Sequence, residues 1–239
     1  MITVFLVRHG ESQSNAGVPT DCPECAKLTV QGVDQAKHIA AYLKSHTSLD
    51  LIVTSRYGRT QETAAFTQSL FPDVPLKQWD VHEFTYLSPP YMGSSTLNDR
   101  RPLVEAYWEQ SLPTYVDGPG SESFDAFIKR ARAFLVQLQS QEFRPDGTIA
   151  IFSHEQFITA VLWLIERNPT TITRQSMDDF KNYLKQNPVP NGAILRMQFH
   201  HRQHSWRLKR VTEHLKQQVS VQREWAWAQE PKVALPVGC

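Results

Sequence analysis

Short apolar runs alternate with helix-like patterns along most of the chain. Residues 2–7 form a continuous run of β-branched and apolar side chains, which is typical of a strand buried on both faces. Two further runs of this kind lie at 49–55 and 148–153, and a helical pattern follows each of them. Strands that alternate with helices favour right-handed crossovers and a mainly parallel sheet. The sequence therefore predicts an α/β fold, a three-layer sandwich with helices on both faces of the central sheet.

Four helices are predicted from apolar residues spaced three and four apart. Thr29 can cap the first helix, which follows a polar, proline-containing loop. The apolar stripe of this helix is Ala36, Ile39, Ala40 and Leu43. Two more helices are expected at 57–71 and 156–166. The strongest pattern lies at 122–141. Its apolar side consists of Phe124, Phe127, Ile128, Ala131, Phe134, Leu135 and Leu138.

The remaining segments do not fit a strand–helix unit. Residues 193–201 and 206–212 flank a short polar turn, which predicts a hairpin at the far side of the sheet. Between about 81 and 120, prolines, aromatic residues and serines interrupt the pattern, and we interpret this region as an irregular cap insertion. The tail at about 217–239 has no clear periodicity, although its two tryptophans suggest that part of it docks. We expect a single domain over 1–239.

Composition and charge exclude several classes of protein. With 239 residues, of which 41% are hydrophobic, the chain can bury one substantial core. Its 25 lysines and arginines nearly balance 24 aspartates and glutamates, so no global basic field attracts nucleic acid or an anionic membrane. No apolar stretch approaches the roughly 20 residues that span a bilayer, and the first residues lack the pattern of a signal peptide. We therefore expect a cytoplasmic protein that binds neither nucleic acid nor membrane, while its oligomeric state stays open.

The cysteines give little support for a structural or metal role. There are three, namely Cys22 and Cys25 in "CPEC" and Cys239 at the end of the chain. Three are too few for a disulfide framework, and a four-ligand zinc site would need a second pair. We therefore expect two incidental thiols in a loop, no metal site and no cofactor.

Unusual polar residues follow three of the predicted strands. They are Arg8, His9 and Glu11; Ser55, Arg56 and Arg59; and Ser153, His154 and Glu155. In a parallel sheet the carboxyl ends of strands meet loops and helix N-termini, where ligands gather. Free N–H groups at helix N-termini favour anions, and the planar fork of arginine matches phosphate oxygens. A histidine flanked by such cations can stay neutral and nucleophilic. The sequence therefore predicts a phosphate site at this edge.

The motif "LVRHGESQSN" at 6–15 resembles the signature of the histidine phosphatase superfamily. That family includes cofactor-dependent phosphoglycerate mutases, fructose-2,6-bisphosphatases and bacterial phosphomonoesterases. Four more stretches resemble its motifs in the same order, namely "LTVQGVDQA", "TSRYGRTQETA", "PGSESFDAFIKRA" and "SHEQFI". The resemblance covers roughly residues 1–165, and the hairpin ending in "WRLKRVTEHL" also resembles the family's last strands.

The resemblance implies a role for each matching residue. His9 would be the nucleophile that takes the phosphoryl group. Its oxygens would be held by Arg8, Asn15, Arg59 and His154. Because Arg59 matches the second arginine of the family, Arg56 is expected at the rim. Glu83 would protonate the leaving oxygen, with Asp80 as the competing carboxyl group.

Two positions depart from the family's pattern. The third strand motif usually continues from histidine into glycine, whereas this chain has Glu155, which adds a carboxylate at the edge of an anion pocket. Such a carboxylate can weaken phosphate affinity, recruit a cationic group of the substrate or point outward. Ser121 replaces a second glycine in "GPGSES", a change that is not expected to affect the chemistry.

The residues favour hydrolysis over two alternatives. The mutases of the family carry a distinctive run after the RHG motif, and "AGVPTDCPECAK" at 16–27 replaces it here. Arg100 and Arg101 keep the mutase alternative open, because they can bind a substrate carboxylate or a second phosphate, or else form a solvated basic turn. An inactive binding module would be expected to lack one of the site residues, all of which are present. We therefore expect a metal-independent phosphomonoesterase for a small phosphorylated metabolite.

Overall fold

The first apolar run of the chain forms a central strand of the sheet. The computed structural model describes residues 1–19, 22, 24–89, 95–140, 146–211 and 233–234. Their strands are β1 (Ile2–Arg8), β2 (Leu51–Thr54), β3 (Leu76–Gln78), β4 (Thr148–Ser153), β5 (Ile194–His200), β6 (Ser205–Val211) and β7 (Val233–Ala234). The sheet order is β3-β2-β4-β1-β5-β6-β7. The first four of these are mutually parallel, and the other three add antiparallel pairs. The predicted α/β fold is confirmed.

Helices cover both faces of this sheet. They are α1 (Val30–His46), α2 (Gly58–Leu70), α3 (Leu97–Gln110), α4 (Phe124–Gln139), α5 (Glu155–Arg167) and α6 (Arg174–Gln186). Neighbouring residues of β1 enter opposite cores, as their alternating direction requires. Val4 and Leu6 pack with residues of α4, α5 and α6, whereas Phe5 and Val7 pack with residues of α1 and α2. These two cores make the three layers of the predicted sandwich.

The strongest sequence patterns have the predicted structure. Thr29 is the N-cap of α1, and its hydroxyl oxygen accepts a hydrogen bond from the Gly32 amide at 3.1 Å. All seven apolar residues of the predicted stripe on α4 are buried. The predicted hairpin is β5 and β6, which pair antiparallel from Ile194 opposite Val211 to His200 opposite Ser205.

Besides β7 in the tail, three elements escaped the sequence analysis. β3 has three exposed residues and no apolar pattern. α3 lies inside the segment interpreted as an irregular cap; its polar composition and the internal Pro102 hide the periodicity. A capping box between Thr96 and Asp99 begins this helix, and Tyr107 and Trp108 are buried in the core. α6 buries a narrow stripe, Met177, Phe180 and Tyr183, within an otherwise polar sequence.

The predicted tail is described only at β7, which pairs with β6. Trp225 and Trp227 lie outside the described residues. The division into one domain with a cap and a tail stays a prediction. Within the described part of the chain, no helix is long and apolar enough to cross a bilayer.

The loop after β1 lies directly against the start of α1. A Cβ atom on Gly10 would lie 2.3 Å from the carbonyl oxygen of Gly32, and one on Gly32 would lie 2.0 Å from that of Glu11. Since backbone atoms provide these contacts, only glycine permits the approach at both positions. The approach holds the residue before Gly10, which is His9, at the carboxyl edge of the sheet.

Candidate active site

His9 lies at the end of β1 and is almost completely buried. Its backbone amide continues the pairing with β4 by donating to the Ser153 carbonyl at 3.1 Å. Its Nδ1 lies 2.7 Å from the carbonyl oxygen of Gly10. Because a carbonyl only accepts, Nδ1 carries the hydrogen and Nε2 keeps a lone pair. The Nε of Arg59 donates to this Nε2 at 3.0 Å.

Arg59 connects the two histidines of the site. It is the second residue of α2 and only 8% exposed. Besides its contact with His9, its Nη2 donates to Nδ1 of His154 at 3.0 Å. Its guanidinium lies 4.7 Å from the ring centre of Tyr57. Burial lowers the pKa of Arg59 to about 10, so the side chain stays cationic at neutral pH.

His154 is fully buried at the N-cap of α5. Since its Nδ1 accepts from Arg59, its Nε2 carries the hydrogen and donates to the Ser55 hydroxyl at 2.8 Å. The centres of the His9 and His154 rings are 5.1 Å apart. Burial, followed by the charge of Arg59, holds the pKa of both histidines well below the usual range. Both rings are therefore neutral at pH 7, and Nε2 of His9 is unprotonated, with its lone pair accepting the hydrogen bond from Arg59.

Arg8 supplies the second cation of the site. Its Nη1 pairs with Oε2 of Glu155 at 2.9 Å and also donates to the carbonyl oxygen of Val189. Its Nε is buried and has no hydrogen-bond partner among the described residues. A buried donor of this kind is what an arriving anion can satisfy.

Glu83 lies after β3, near the start of the predicted cap, and its side chain reaches the N-terminus of α5. Its Oε1 accepts from the backbone amides of Gln156 at 2.9 Å and Phe84 at 3.2 Å. Burial raises the pKa of the carboxyl group, although Arg59 and Arg8 oppose the shift. Glu83 thus meets the electrostatic requirement of a group that must donate a proton.

Arg130 of α4 fixes the segment that carries Glu83. Its Nη1 donates to the carbonyl oxygens of Asp80 at 2.8 Å and His82 at 2.9 Å. Its Nη2 pairs with Glu122 at 2.6 Å. The Asp80 side chain is exposed, whereas Glu83 is half-buried.

Two residues of the RHG loop have structural partners. The Oδ1 of Asn15 accepts from the Ser12 hydroxyl at 2.8 Å and from Asn191 at 3.2 Å, at an exposed edge of the site. The Oε1 of Glu11 accepts from the Thr29 hydroxyl at 2.7 Å. Glu11 therefore ties the loop to α1, and a contact between Asn15 and phosphate stays a prediction.

The two cap arginines lie in different environments. Arg100 is buried, and its Nη1 donates to the carbonyl oxygen of Ser95 at 2.9 Å. Arg100 is close enough to Tyr86 to affect the pKa of its hydroxyl. Burial and the charge of Glu83 raise that pKa to about 12. Arg101 is exposed, with its Nη2 donating to Asn98 at 3.2 Å. Arg100 is therefore a buried cap arginine that acts electrostatically on Tyr86, and binding of substrate by either arginine stays a prediction.

The loop at the rim corrects the expectation of two incidental thiols. Cys22 and Cys25 form a disulfide, because a turn brings their Cα atoms to 5.2 Å. Glu24 within this turn pairs with Arg56 at 3.0 Å, and its carbonyl oxygen accepts from the Gly58 amide at 2.9 Å. Arg56 is 43% exposed, in the rim position expected for it.

Several residues near the site had no sequence signal of their own. Tyr57 supports Arg59, and the backbone of Gln156 holds Glu83. His82 is buried beside the ring of Tyr57, with centroids 6.0 Å apart, and burial lowers its pKa to about 3. Only the position of His82 directly before Glu83 could have drawn attention to it. Within the described residues, no group of three or more histidines, cysteines and carboxylates is arranged to hold a metal ion.

The different burial of Arg59 and Arg56 leads to a kinetic prediction. Arg59→Ala is expected to lower kcat/KM about a hundredfold or more, because it removes a charge-assisted contact to the developing charge. Arg56→Ala is the matched control, and it should cost about tenfold or less because this side chain is exposed and paired with Glu24. Steady-state kinetics on p-nitrophenyl phosphate would measure both effects. The reverse order would place the phosphate clamp at Arg56.

Comparisons with known proteins agree with this geometry. The chain matches the model of the histidine phosphatase superfamily, branch 1, over residues 4–213. The adenosylcobalamin/alpha-ribazole phosphatase of Escherichia coli K12 is 27% identical over 169 residues, which are 66% of this chain and 76% of that protein. The probable phosphoglycerate mutase GpmB of Enterobacter sp. strain 638 is 39% identical over 156 residues, or 62% of this chain and 66% of that protein.

The solved structures show the same fold. A phosphoserine phosphatase from Entamoeba histolytica, in complex with 3-phosphoglyceric acid, has a TM-score of 0.63 at 19% identity. The match covers 90% of this chain and 100% of that one. The family match spans most of the chain, and its range includes His9 and the described residues that hydrogen-bond to it. The chain therefore belongs to branch 1 of the histidine phosphatase superfamily and is a phosphatase of that family.

Proposed function

We propose that the protein is a metal-independent phosphomonoesterase that acts on a small phosphorylated metabolite through a phosphohistidine on His9. The observation that carries this proposal is the unprotonated Nε2 of a neutral, buried His9, held at 3.0 Å by Arg59. Arg8, Arg59 and the N-terminus of α5 supply positive charge around it, the role that Mg²⁺ has in kinases.

In the first half-reaction, Nε2 of His9 attacks phosphorus and the bond between phosphorus and the leaving oxygen breaks. Glu83 gives its proton to that oxygen, so the alcohol departs neutral. In the second half-reaction, Glu83, now a carboxylate, takes a proton from water. The water attacks phosphorus, the P–N bond breaks, and inorganic phosphate and free His9 are restored.

His154 has a conditional role in this scheme. While its Nδ1 accepts from Arg59, it cannot donate to a phosphate oxygen. An arriving dianion favours protonation of the ring, which would let Nδ1 donate to the phosphoryl group. His154 thus positions Arg59 before binding and contributes a donor after it.

The substrate proposal includes a second acidic group. Arg100 is buried in the cap, and none of the described carboxylates forms an ion pair with it. A carboxylate or second phosphate on the leaving group would supply one. The complex of the phosphoserine phosphatase with 3-phosphoglyceric acid gives this class of substrate support. The mutase alternative uses the same contact, and it differs in returning the phosphoryl group to another hydroxyl.

A panel of phosphomonoesters in excess EDTA tests the proposal. We expect release of inorganic phosphate to survive chelation, and acidic sugar or glycerate phosphates to react faster than neutral alkyl phosphates. Orthovanadate should inhibit, because it adopts the five-coordinate geometry of the transferring group. Interconversion of phosphoglycerates without phosphate release would favour the mutase, and no turnover of any ester would favour a binding module. Loss of activity in EDTA with recovery on Mg²⁺ or Zn²⁺ would reject the metal-independent mechanism.

A further inference from the structure

Glu155 is the first residue of α5 and directly follows His154. Its Oε2 pairs with Nη1 of Arg8 at 2.9 Å, and its Oε1 accepts from the Val189 amide at 3.3 Å. The same Arg8 nitrogen donates to the Val189 carbonyl, so the backbone of one residue, Val189, joins both side chains. The two side chains are 11% and 28% exposed, which limits screening by water. The carboxylate therefore neither points outward nor stays free for a cationic substrate.

Acidic residues are common in the first turn of a helix, but the partner of Glu155 is unusual. Asp125, in the first turn of α4, is 29% exposed and pairs at 2.8 Å with Lys129 on the same helix. Glu155 instead pairs with an arginine of the phosphate site. A negative charge at this distance from Arg8 opposes the approach of a phosphate dianion.

We propose that Glu155 is a positioning residue that fixes Arg8 and offsets its charge, so that the site releases inorganic phosphate readily after each turnover. This inference rests on the proposed phosphomonoesterase function. A site with two arginines and a helix N-terminus binds its product tightly unless some of that charge is compensated. The ion pair compensates one arginine and leaves the Arg59 contact with the nucleophile intact.

The same carboxylate acts on the general acid. Glu83 is faced by Arg59 from α2, Arg8 from β1 and Glu155 from α5; the arginines lower its pKa, and Glu155 raises it. The neighbouring Tyr86 and the neutral His154 add no opposing charge at neutral pH. Removing the charge of Glu155 lowers the pKa of Glu83. Because Glu83 must be protonated to act, the falling limb of the activity profile then moves to lower pH.

The test compares Glu155→Gln with two matched variants. In Glu155→Gln, the inhibition constant of orthophosphate should fall about tenfold. The pH above which activity falls should also decrease. Glu155→Asp keeps the charge and should bind orthophosphate within about twofold of the wild type. Asp125→Asn removes an equally exposed and paired acid elsewhere, and it should leave both measurements unchanged. Unchanged or weaker phosphate binding in Glu155→Gln than in the wild type would overturn the proposal, as would binding in Glu155→Asp that is as tight as in Glu155→Gln.

Calorimetry with orthophosphate separates this inference from the proposed function. It measures binding to the intact protein without turnover. Tighter binding in Glu155→Gln supports the role of Glu155 even when no phosphomonoester is hydrolysed, a result that would reject the phosphatase proposal alone. Normal hydrolysis with the same phosphate affinity in Glu155→Gln and the wild type would reject the role of Glu155 alone.

Discussion

His9→Ala is expected to remove all measurable turnover, a loss of at least about 10⁴-fold in kcat. The reason is geometric and electronic. In the wild type, Nδ1 donates its hydrogen to Gly10, so Nε2 is unprotonated, and its lone pair accepts from Arg59 until a phosphate group takes over that donor. The other histidine nitrogen near Arg59, Nδ1 of His154, belongs to a ring whose centre lies 5.1 Å from that of His9 and whose Nε2 is already held by Ser55.

Rapid-quench labelling provides the direct measurement. Phosphohistidine is acid-labile and base-stable, so the labelled protein should lose phosphate in acid and keep it in base. Peptide mapping should place the phosphate on His9. His82→Gln serves as the control. His82 is a buried histidine beside the site, and it forms none of the hydrogen bonds to Arg59 described above. Phosphate on another residue, or activity retained in His9→Ala, would reject His9 as the nucleophile.

Glu83→Gln should slow hydrolysis of alkyl phosphates by roughly 10² to 10⁴-fold and that of p-nitrophenyl phosphate by much less. An alkoxide needs a proton in the transition state, whereas p-nitrophenolate leaves readily without one. The substitution keeps the shape of the side chain and its acceptor oxygen for the Gln156 amide. A difference between the two substrates therefore reports the loss of the proton donor rather than a change in folding.

The pH profile gives a second measurement on the same variant. Burial raises the pKa of Glu83, so the carboxyl group is protonated below that raised pKa. Activity on glycerol phosphate should fall as the pH rises through it, and this limb should disappear in Glu83→Gln. Asp80→Asn is the control, since that side chain is exposed. Equal losses on both substrates would make Glu83 a positioning residue, and a selective loss in Asp80→Asn would make Asp80 the acid.

Local patterns predicted much of the fold. β1, α1 and α4 have their apolar residues at spacings that place them on one side or in one buried run, and the structure buries those residues. α3 and α6 are instead stabilised mainly by a few side chains that meet distant parts of the core, such as Trp108 and Phe180, whose rings lie 6.3 Å apart. Each of these helices begins with a capping box that the sequence contains, but the burial of its few apolar side chains depends on distant parts of the core.

The sequence by itself determined the α/β fold and which strand ends carry arginine and histidine. In a parallel sheet those ends lie at one edge, so Arg8, His9, Arg59 and His154 meet whatever their distance along the chain. Only the tertiary structure decided how these groups are charged and paired. The hydrogen on Nδ1 of His9, the raised pKa of Glu83 and the pairing of Glu155 with Arg8 depend on partners far apart in sequence. Protonation and ion pairing follow the local solvation and distances in space, which a linear pattern of residues does not contain.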